Sequence, residues 1–186
     1  MTRLRVLLDA CVLYPTVLRE ILLGAAGAGL FTPLWSARLL EEWARAAARL
    51  GSEGEAVARS EVAAMLVGWP DAMVSGAEGL ERRLWLPDPD DVHVLAAAVA
   101  ASADAILTFN AKDFPRGVLA EEGLLRLDPD QFLSELAERH PEVLRQVVQA
   151  SVDRATRLSG EAWTAKTLLK KARLNRLAKT LARLSG

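Results

Sequence analysis

Four carboxylates, Asp9, Glu42, Asp91 and Asp113, occupy positions from which they could reach a common edge of a folded sheet. Gathered there, they would repel one another and call for a cation. Hard oxygen ligands without histidine or cysteine select Mg2+ or Mn2+. A Mg2+ site of this type keeps several waters, so it can present an activated water to a phosphodiester and stabilise the leaving oxygen. Taken singly, each residue has a plainer reading. Asp91 suits a helix N-cap, Asp113 a loop charge, and Glu42 a surface glutamate reaching out from a core border. The chemistry therefore depends on the elements that would bring the four together.

Residues 86–115 supply the first of these elements. Pro87 and Pro89 keep the chain out of a helix until Asp90 or Asp91, because a residue before proline is pushed towards extended conformations. The carboxylates of that turn then meet the free N–H groups of a helix start. Val92 to Ala101 is apolar on nearly every side except His93, which marks a buried helix. Ala103 to Thr108 reads as a strand, and Phe109 to Pro115 as a polar loop. In a parallel sheet a crossover helix begins at the edge where the strands end, and open α/β sheets bind ligands at that edge. Asp91 and Asp113 both belong there.

Earlier in the chain, Leu4 to Leu8 suits a buried strand ending at Asp9. Tyr14-Pro15 opens a helix with its apolar face over Leu18 to Leu23, broken by Gly24, Gly27 and Gly29. Leu30 to Trp35 predicts a second strand, with Ser36 capping a helix from Arg38 to Leu50. Leu39, Leu40, Trp43, Ala46, Ala47 and Leu50 form its apolar face. Glu41 points outward, four residues before Arg45, whereas Glu42 lies at the core border and leans back towards the helix start. Glu55 to Val67 follows as a third helix. After the polar loop come a strand at Leu124 to Leu127 and a helix from Asp130 to Arg139, stopped by His140-Pro141. His93 and His140 read as a helix-face residue and a helix stop, and neither completes a ligand set.

Composition limits the classes open to the chain. With 186 residues, 51% hydrophobic and 25% charged, it is an ordinary globular domain with a short appendage. No apolar run reaches the length of a membrane span, and the first strand begins too early to leave room for a signal peptide. The single cysteine, Cys11, excludes an internal disulfide and favours a reducing cytoplasm. Its place in an apolar run points to a structural thiol more than to a nucleophile. From Arg145 onward there are ten basic residues against two acidic ones, a net of +8, whereas the preceding part has 13 and 22, a net of −9. A basic tail on an acidic body suggests a polyanionic or acidic partner. The division implied is 1–140 for the main domain and 141–186 for a basic helical extension.

Four segments carry a more specific signal. Val6-Leu-Leu-Asp-Ala-Cys-Val-Leu-Tyr-Pro15 resembles the opening motif of the PIN-domain nucleases, and Ser36-Ala-Arg-Leu-Leu-Glu-Glu42 their second acidic motif. Asp88-Pro-Asp-Asp-Val-His-Val-Leu-Ala-Ala-Ala98 and Thr108-Phe-Asn-Ala-Lys-Asp-Phe114 are similar to the third and fourth. The likeness covers roughly residues 4–135 in the right order, and is greatest to VapC-type toxins in the longer subgroup with a basic helical extension. It implies an α/β fold, a three-layer α/β/α domain around a central parallel sheet. It also implies a metal-dependent endoribonuclease inhibited by a cognate antitoxin.

Carried over by motif, Asp9, Glu42, Asp91 and Asp113 would bind the metal and act in catalysis, with Thr108 and Asn110 as polar helpers. Asp91 is preferred to Asp88 and Asp90 for its spacing from Thr108, leaving those two to shape or cap the turn. Cys11 stands where many members carry asparagine, which would remove a hydrogen bond from Asp9. Mg2+ is the implied ion, with Mn2+ as the substitute. RNA is the implied substrate and an antitoxin protein the implied partner. Pairing of two copies is compatible with this reading, and no membrane partner is expected. Lys166, Lys170, Lys171, Arg173, Arg176 and Lys179 are the candidates for RNA contact in the tail, with antitoxin docking as the competing role.

Two other functional classes fit parts of the pattern. A receiver-like signalling domain also gathers carboxylates and Mg2+ at a sheet edge, but it needs adjacent acids after the first strand, where Ala10 and Cys11 stand. A PIN-like scaffold without hydrolysis would not need all four acids.

Overall fold

The computed structural model describes residues 3–184. In chain order its elements are β1 (Arg5–Leu8), α1 (Ala10–Leu13), α2 (Thr16–Gly27), β2 (Thr32–Ser36), α3 (Ala37–Ala47), α4 (Ser52–Gly68) and β3 (Met73–Val74). They continue with α5 (Val92–Ala100), β4 (Ala105–Leu107), α6 (Arg116–Glu121), β5 (Leu125–Leu127), α7 (Pro129–Arg139), α8 (Pro141–Ser159), α9 (Ala165–Lys171) and α10 (Asn175–Arg183). The chain forms two compact units, one of residues 1–14 with 31–126 and one of residues 15–30 with 127–186.

The first unit is built on a five-stranded sheet in the order β3-β2-β1-β4-β5. The ladders β1–β2, β1–β4 and β2–β3 are parallel. Leu7 of β1 lies opposite Leu34 of β2 and Ile106 of β4, so β1 is a central strand. That explains its uninterrupted apolar run, since a strand covered on both faces has no solvent side to alternate with. Leu7, Leu34, Leu39, Leu95, Ile106 and Phe114 form the core around it.

The strand order places the site. From β1 the chain moves outward through β2 to β3, then returns to the other side of β1 as β4. The order reverses between β1 and β4, and the crevice at such a switch point is where doubly wound sheets bind ligands. Asp9 follows the last residue of β1, and Thr108 follows the last residue of β4.

Three local features differ from the sequence expectation. A short helix, α1, directly follows β1, because the Asp9 side chain accepts the Ala10 N–H at 2.7 Å and caps it. The buried face of α3 uses Ala44, whereas Leu50 is 72% exposed. The α-helix ends at Ala47 and a 3-10 turn over Ala48–Leu50 shifts the helical phase. Finally, α2 runs through Gly24 to Gly27. A Cβ on Gly24 would come within 2.7 Å of Val147 Cγ1, so this glycine serves close packing on α8 and does not break the helix. Gly29, with φ of 82°, makes the turn beyond the helix.

The second unit packs α10 against α7 and α9, and α8 against α2, α7 and α9. The leucines of the basic tail are covered within this unit, with Leu174, Leu177 and Leu181 all buried. Asp130, near the start of α7, accepts the backbone N–H groups of Arg176 and Leu177 at 2.8 and 2.9 Å and so caps α10. The expected division between residues 140 and 141 falls at the start of α8, inside this unit. Residues 1–2 and 185–186 of the two expected segments lie outside the described residues.

Candidate functional site

Asp9 is the most enclosed of the four acids, 7% exposed. One carboxylate oxygen caps α1, and the other accepts the Thr108 hydroxyl at 2.7 Å and the Cys11 thiol at 3.2 Å. Its backbone N–H donates to the carbonyl of Leu107 at 3.1 Å, extending the contact between β1 and β4 into the site. The β1–β4 pairing therefore sets where this carboxylate points.

The loop after β4 is tied to the same group. Thr108 Oγ1 accepts the Asn110 N–H at 2.9 Å, and the Asn110 side chain donates to Asp91 Oδ2 at 3.2 Å. Asn110 Oδ1 in turn accepts the Asp113 N–H at 3.3 Å. Arg126 fixes the far side of this loop, donating to the carbonyls of Ala111 and Phe114, both at 2.9 Å. Thr108 and Asn110 thus link three of the predicted acids.

Asp91 and Asp113 lie together, and Asp88 joins them. Each offers one oxygen, and the three oxygens lie within 4.8 Å of one another. Burial first, then the charges of Asp9, Asp88 and Asp113, push the Asp91 carboxyl up to about 6. The charge of His93 lowers it but does not offset the rest. Three close carboxylate oxygens are a donor set suited to a hard divalent cation. Asp88 does what the sequence suggested, accepting the Asp90 N–H at 2.9 Å, and also belongs to the acidic group. Proline spacing revealed the turn but could not show that its first carboxylate lies beside Asp91 and Asp113.

Glu42 stands apart from the three-aspartate group. Its Oε1 lies 2.9 Å from His93 Nε2 and 3.3 Å from Arg38 Nε. Burial alone would raise its carboxyl, but the His93 hydrogen bond and the charges of His93 and Arg38 outweigh it and hold the group below the usual range. His93 is therefore a partner of Glu42, a role that its sequence reading as a plain helix-face residue missed. The signal was present, since one polar residue on an otherwise apolar buried helix must find a partner.

Cys11 also behaves differently from expectation. Its thiol donates to Asp9, so the replacement of asparagine does not leave that carboxylate without a neighbour here. Burial, and next the charge of Asp9, push this thiol up to about 12, which keeps it protonated and unfit as a nucleophile.

The six basic tail residues are all exposed. Lys171 Nζ sits 4.7 Å above the Trp163 ring, and Lys166 and Lys179 line a groove in the second unit. Among the described residues, no helix is long and apolar enough to cross a membrane.

A parallel sheet with an acidic group at its switch point matches a known family in sequence as well. The family model for the PIN domain matches residues 5–112, more than half of the chain, and the chain belongs to that family. The three-layer α/β/α class implied by the motifs comes with this membership. Over 63 residues the chain is 40% identical to a protein of Mycobacterium tuberculosis strain H37Rv named as a candidate ribonuclease, VapC50. The match takes in 34% of this chain and spans little more than a third, 37%, of that relative's length. No solved structure matches the chain significantly.

Proposed function

We propose that this protein is a metal-dependent endoribonuclease acting as the toxin of a toxin–antitoxin pair in the cytoplasm. The observation that carries the reading is the acidic group at the β1–β4 switch point, with Asp91 driven up by burial and then by its acidic neighbours. Membership of the PIN family and the name of the mycobacterial relative support the choice of nuclease and of RNA.

Asp9, Asp91 and Asp113 would hold Mg2+, or Mn2+ in its place, with Glu42 as the fourth acid and Asp88 close by. Such a cation, when bound, offsets the carboxylate charge, activates water at neutral pH and stabilises the leaving phosphate oxygen. The chain's own contribution is preorganisation. Thr108 and Cys11 fix Asp9, Asn110 ties Asp91 to the loop bearing Asp113, and His93 with Arg38 keeps Glu42 ionised.

Residues 1–140 form the nuclease part in this reading, and 141–186 the basic extension. Of the tail residues, Lys166, Lys170, Lys171, Arg173, Arg176 and Lys179 are the candidates for RNA contact. The deciding experiment incubates end-labelled single-stranded RNAs with the full chain in Mg2+, Mn2+ or EDTA. Endonucleolytic products with either cation and none with EDTA support the reading; products equally abundant in EDTA defeat it.

A further inference from the structure

The chain has five tryptophans, four phenylalanines and one tyrosine, and among the described residues only Tyr14, Trp85 and Phe109 of these are exposed. All three stand close in sequence to the acidic group. Phe109 lies between Thr108, which donates to Asp9, and Asn110, which donates to Asp91. Trp85 precedes Asp88 by three residues, a reach of at most about 11 Å. Tyr14 ends α1, the short helix that Asp9 caps. Single aromatic rings scattered over a surface need no explanation, but rings gathered about one acidic group do.

Packing does not account for Phe109 or Trp85. In the Phe109 loop the core is filled by Phe114, wholly buried, whereas Phe109 is 41% exposed. The Phe109 backbone is held at the site without help from its ring: the N–H donates to Cys11 Sγ at 3.4 Å and the carbonyl accepts the Ala111 N–H at 3.0 Å. Leu84 and Leu86 pack into the core on either side of Trp85, which stays 64% exposed. Unpaired RNA bases stack on aromatic side chains whatever their sequence, because every base has a π face. A strand whose phosphodiester lies at the acids carries a base on each neighbouring sugar, and rings beside those acids would meet such bases first.

We propose that Phe109 and Trp85 are stacking residues for two unpaired bases of the RNA strand held at the acidic group. The proposal deepens the nuclease reading and rests on it for the substrate. The bases are not the reacting atoms, so the rings raise affinity for the strand and leave the chemical step alone.

The test titrates the full chain against a short labelled single-stranded RNA in EDTA, where metal-dependent cleavage does not consume the probe, and then follows cleavage in Mg2+. Phe109→Ala and Trp85→Ala should each weaken binding about tenfold, the ordinary loss of one stacked base. KM should rise by a like factor with kcat unchanged. Phe109→Tyr should bind as the unaltered chain does, whereas Phe109→Leu, apolar but without a π face, should bind like Phe109→Ala. A sugar–phosphate strand without bases should bind the unaltered chain and the variants alike. Should Phe109→Ala fail to fold, Phe109→Leu and Trp85→Ala decide. Unchanged affinity and KM in the alanine variants, full affinity in Phe109→Leu, or an equal loss on the base-free strand would overturn the proposal. So would an unaltered chain that neither binds nor cleaves single-stranded RNA. The two readings fail separately. Cleavage in Mg2+ with KM unmoved by either alanine variant removes the stacking and keeps the nuclease. Binding weakened by those variants with no cleavage in Mg2+ removes the nuclease and keeps the stacking.

Discussion

His93 Nε2 lies 2.9 Å from Glu42 Oε1, and this contact joins the helix bearing Glu42 to the helix that starts after Asp91. His93 is 5% exposed, and its Nδ1 is buried with no hydrogen-bond partner among the described residues. Glu42 is therefore the ring's polar contact. His93→Ala should lower RNA cleavage by about 10–100-fold, the usual loss when the outer partner of a metal-site ligand is removed. His93→Gln keeps a donor and should recover part of the activity. Full activity in folded His93→Ala would show that Glu42 acts without this support.

The acidic group should cost stability when no cation is present. Asp91 titrates near 6 in the folded protein against an ordinary value of 3.8, so the folded state holds a proton that the unfolded chain releases between those values. Metal-free stability therefore falls as pH rises from about 4 to 6 and stays lowered above that window. Allowing for solvent screening, Asp91→Asn should raise the metal-free Tm at pH 7.5 by about 2–4 °C, the response to roughly 1 kcal/mol in a domain this size. At pH 3.5 the gain should vanish. Thermal melts in EDTA at the two pH values check both the sign and the window; a destabilised variant at pH 7.5 would mean that Asp91 has a positive partner.

Much of the sheet and the site could be read from residue types alone. Leu4–Leu8 and Ala103–Thr108 were visible because central parallel strands are continuous apolar runs bounded by polar residues, and the acids at their ends followed. Ser36 acts as the expected N-cap, accepting the Leu39 N–H at 3.2 Å. What could not be read depends on contacts distant in sequence. The His93–Glu42 pair spans two helices, and Gly24 looks like a helix breaker until Val147 is packed against it. The phase of α3 was lost at Leu50 because a 3-10 turn leaves no trace in the apolar pattern.

Adjacent glutamates on α3 should separate cleanly. Glu41 pairs with Arg45 at 2.9 Å and Arg59 at 3.0 Å on the surface, and these guanidinium groups hold its carboxyl down to about 2. Exposed pairs add little to stability, so Glu41→Gln should leave cleavage unchanged and shift Tm by no more than about 1 °C. Glu42→Gln should lose most activity and weaken Mn2+ binding measured by calorimetry. The reverse pattern would place the acidic motif one residue earlier.

The basic tail is best tested by point changes, because α8, α9 and α10 cover buried residues of their own unit and a truncation would expose them. Replacing Lys170, Lys171, Arg173 and Arg176 with alanine should reduce the slope of log affinity for single-stranded RNA against log salt by up to about 3, some 0.7 for each phosphate no longer neutralised. Metal binding at the acidic group should be unaffected. An unchanged slope would remove these residues from RNA contact.

The most direct measurement is single-turnover cleavage of a labelled RNA by the Asp9→Asn, Asp91→Asn double variant beside the unaltered chain, both in Mg2+. The switch-point site predicts a folded double variant whose cleavage has fallen by about a thousandfold or more, as expected when preorganised charge at the reacting centre is removed. Undiminished cleavage by that variant would contradict the account and place the chemistry elsewhere in the molecule.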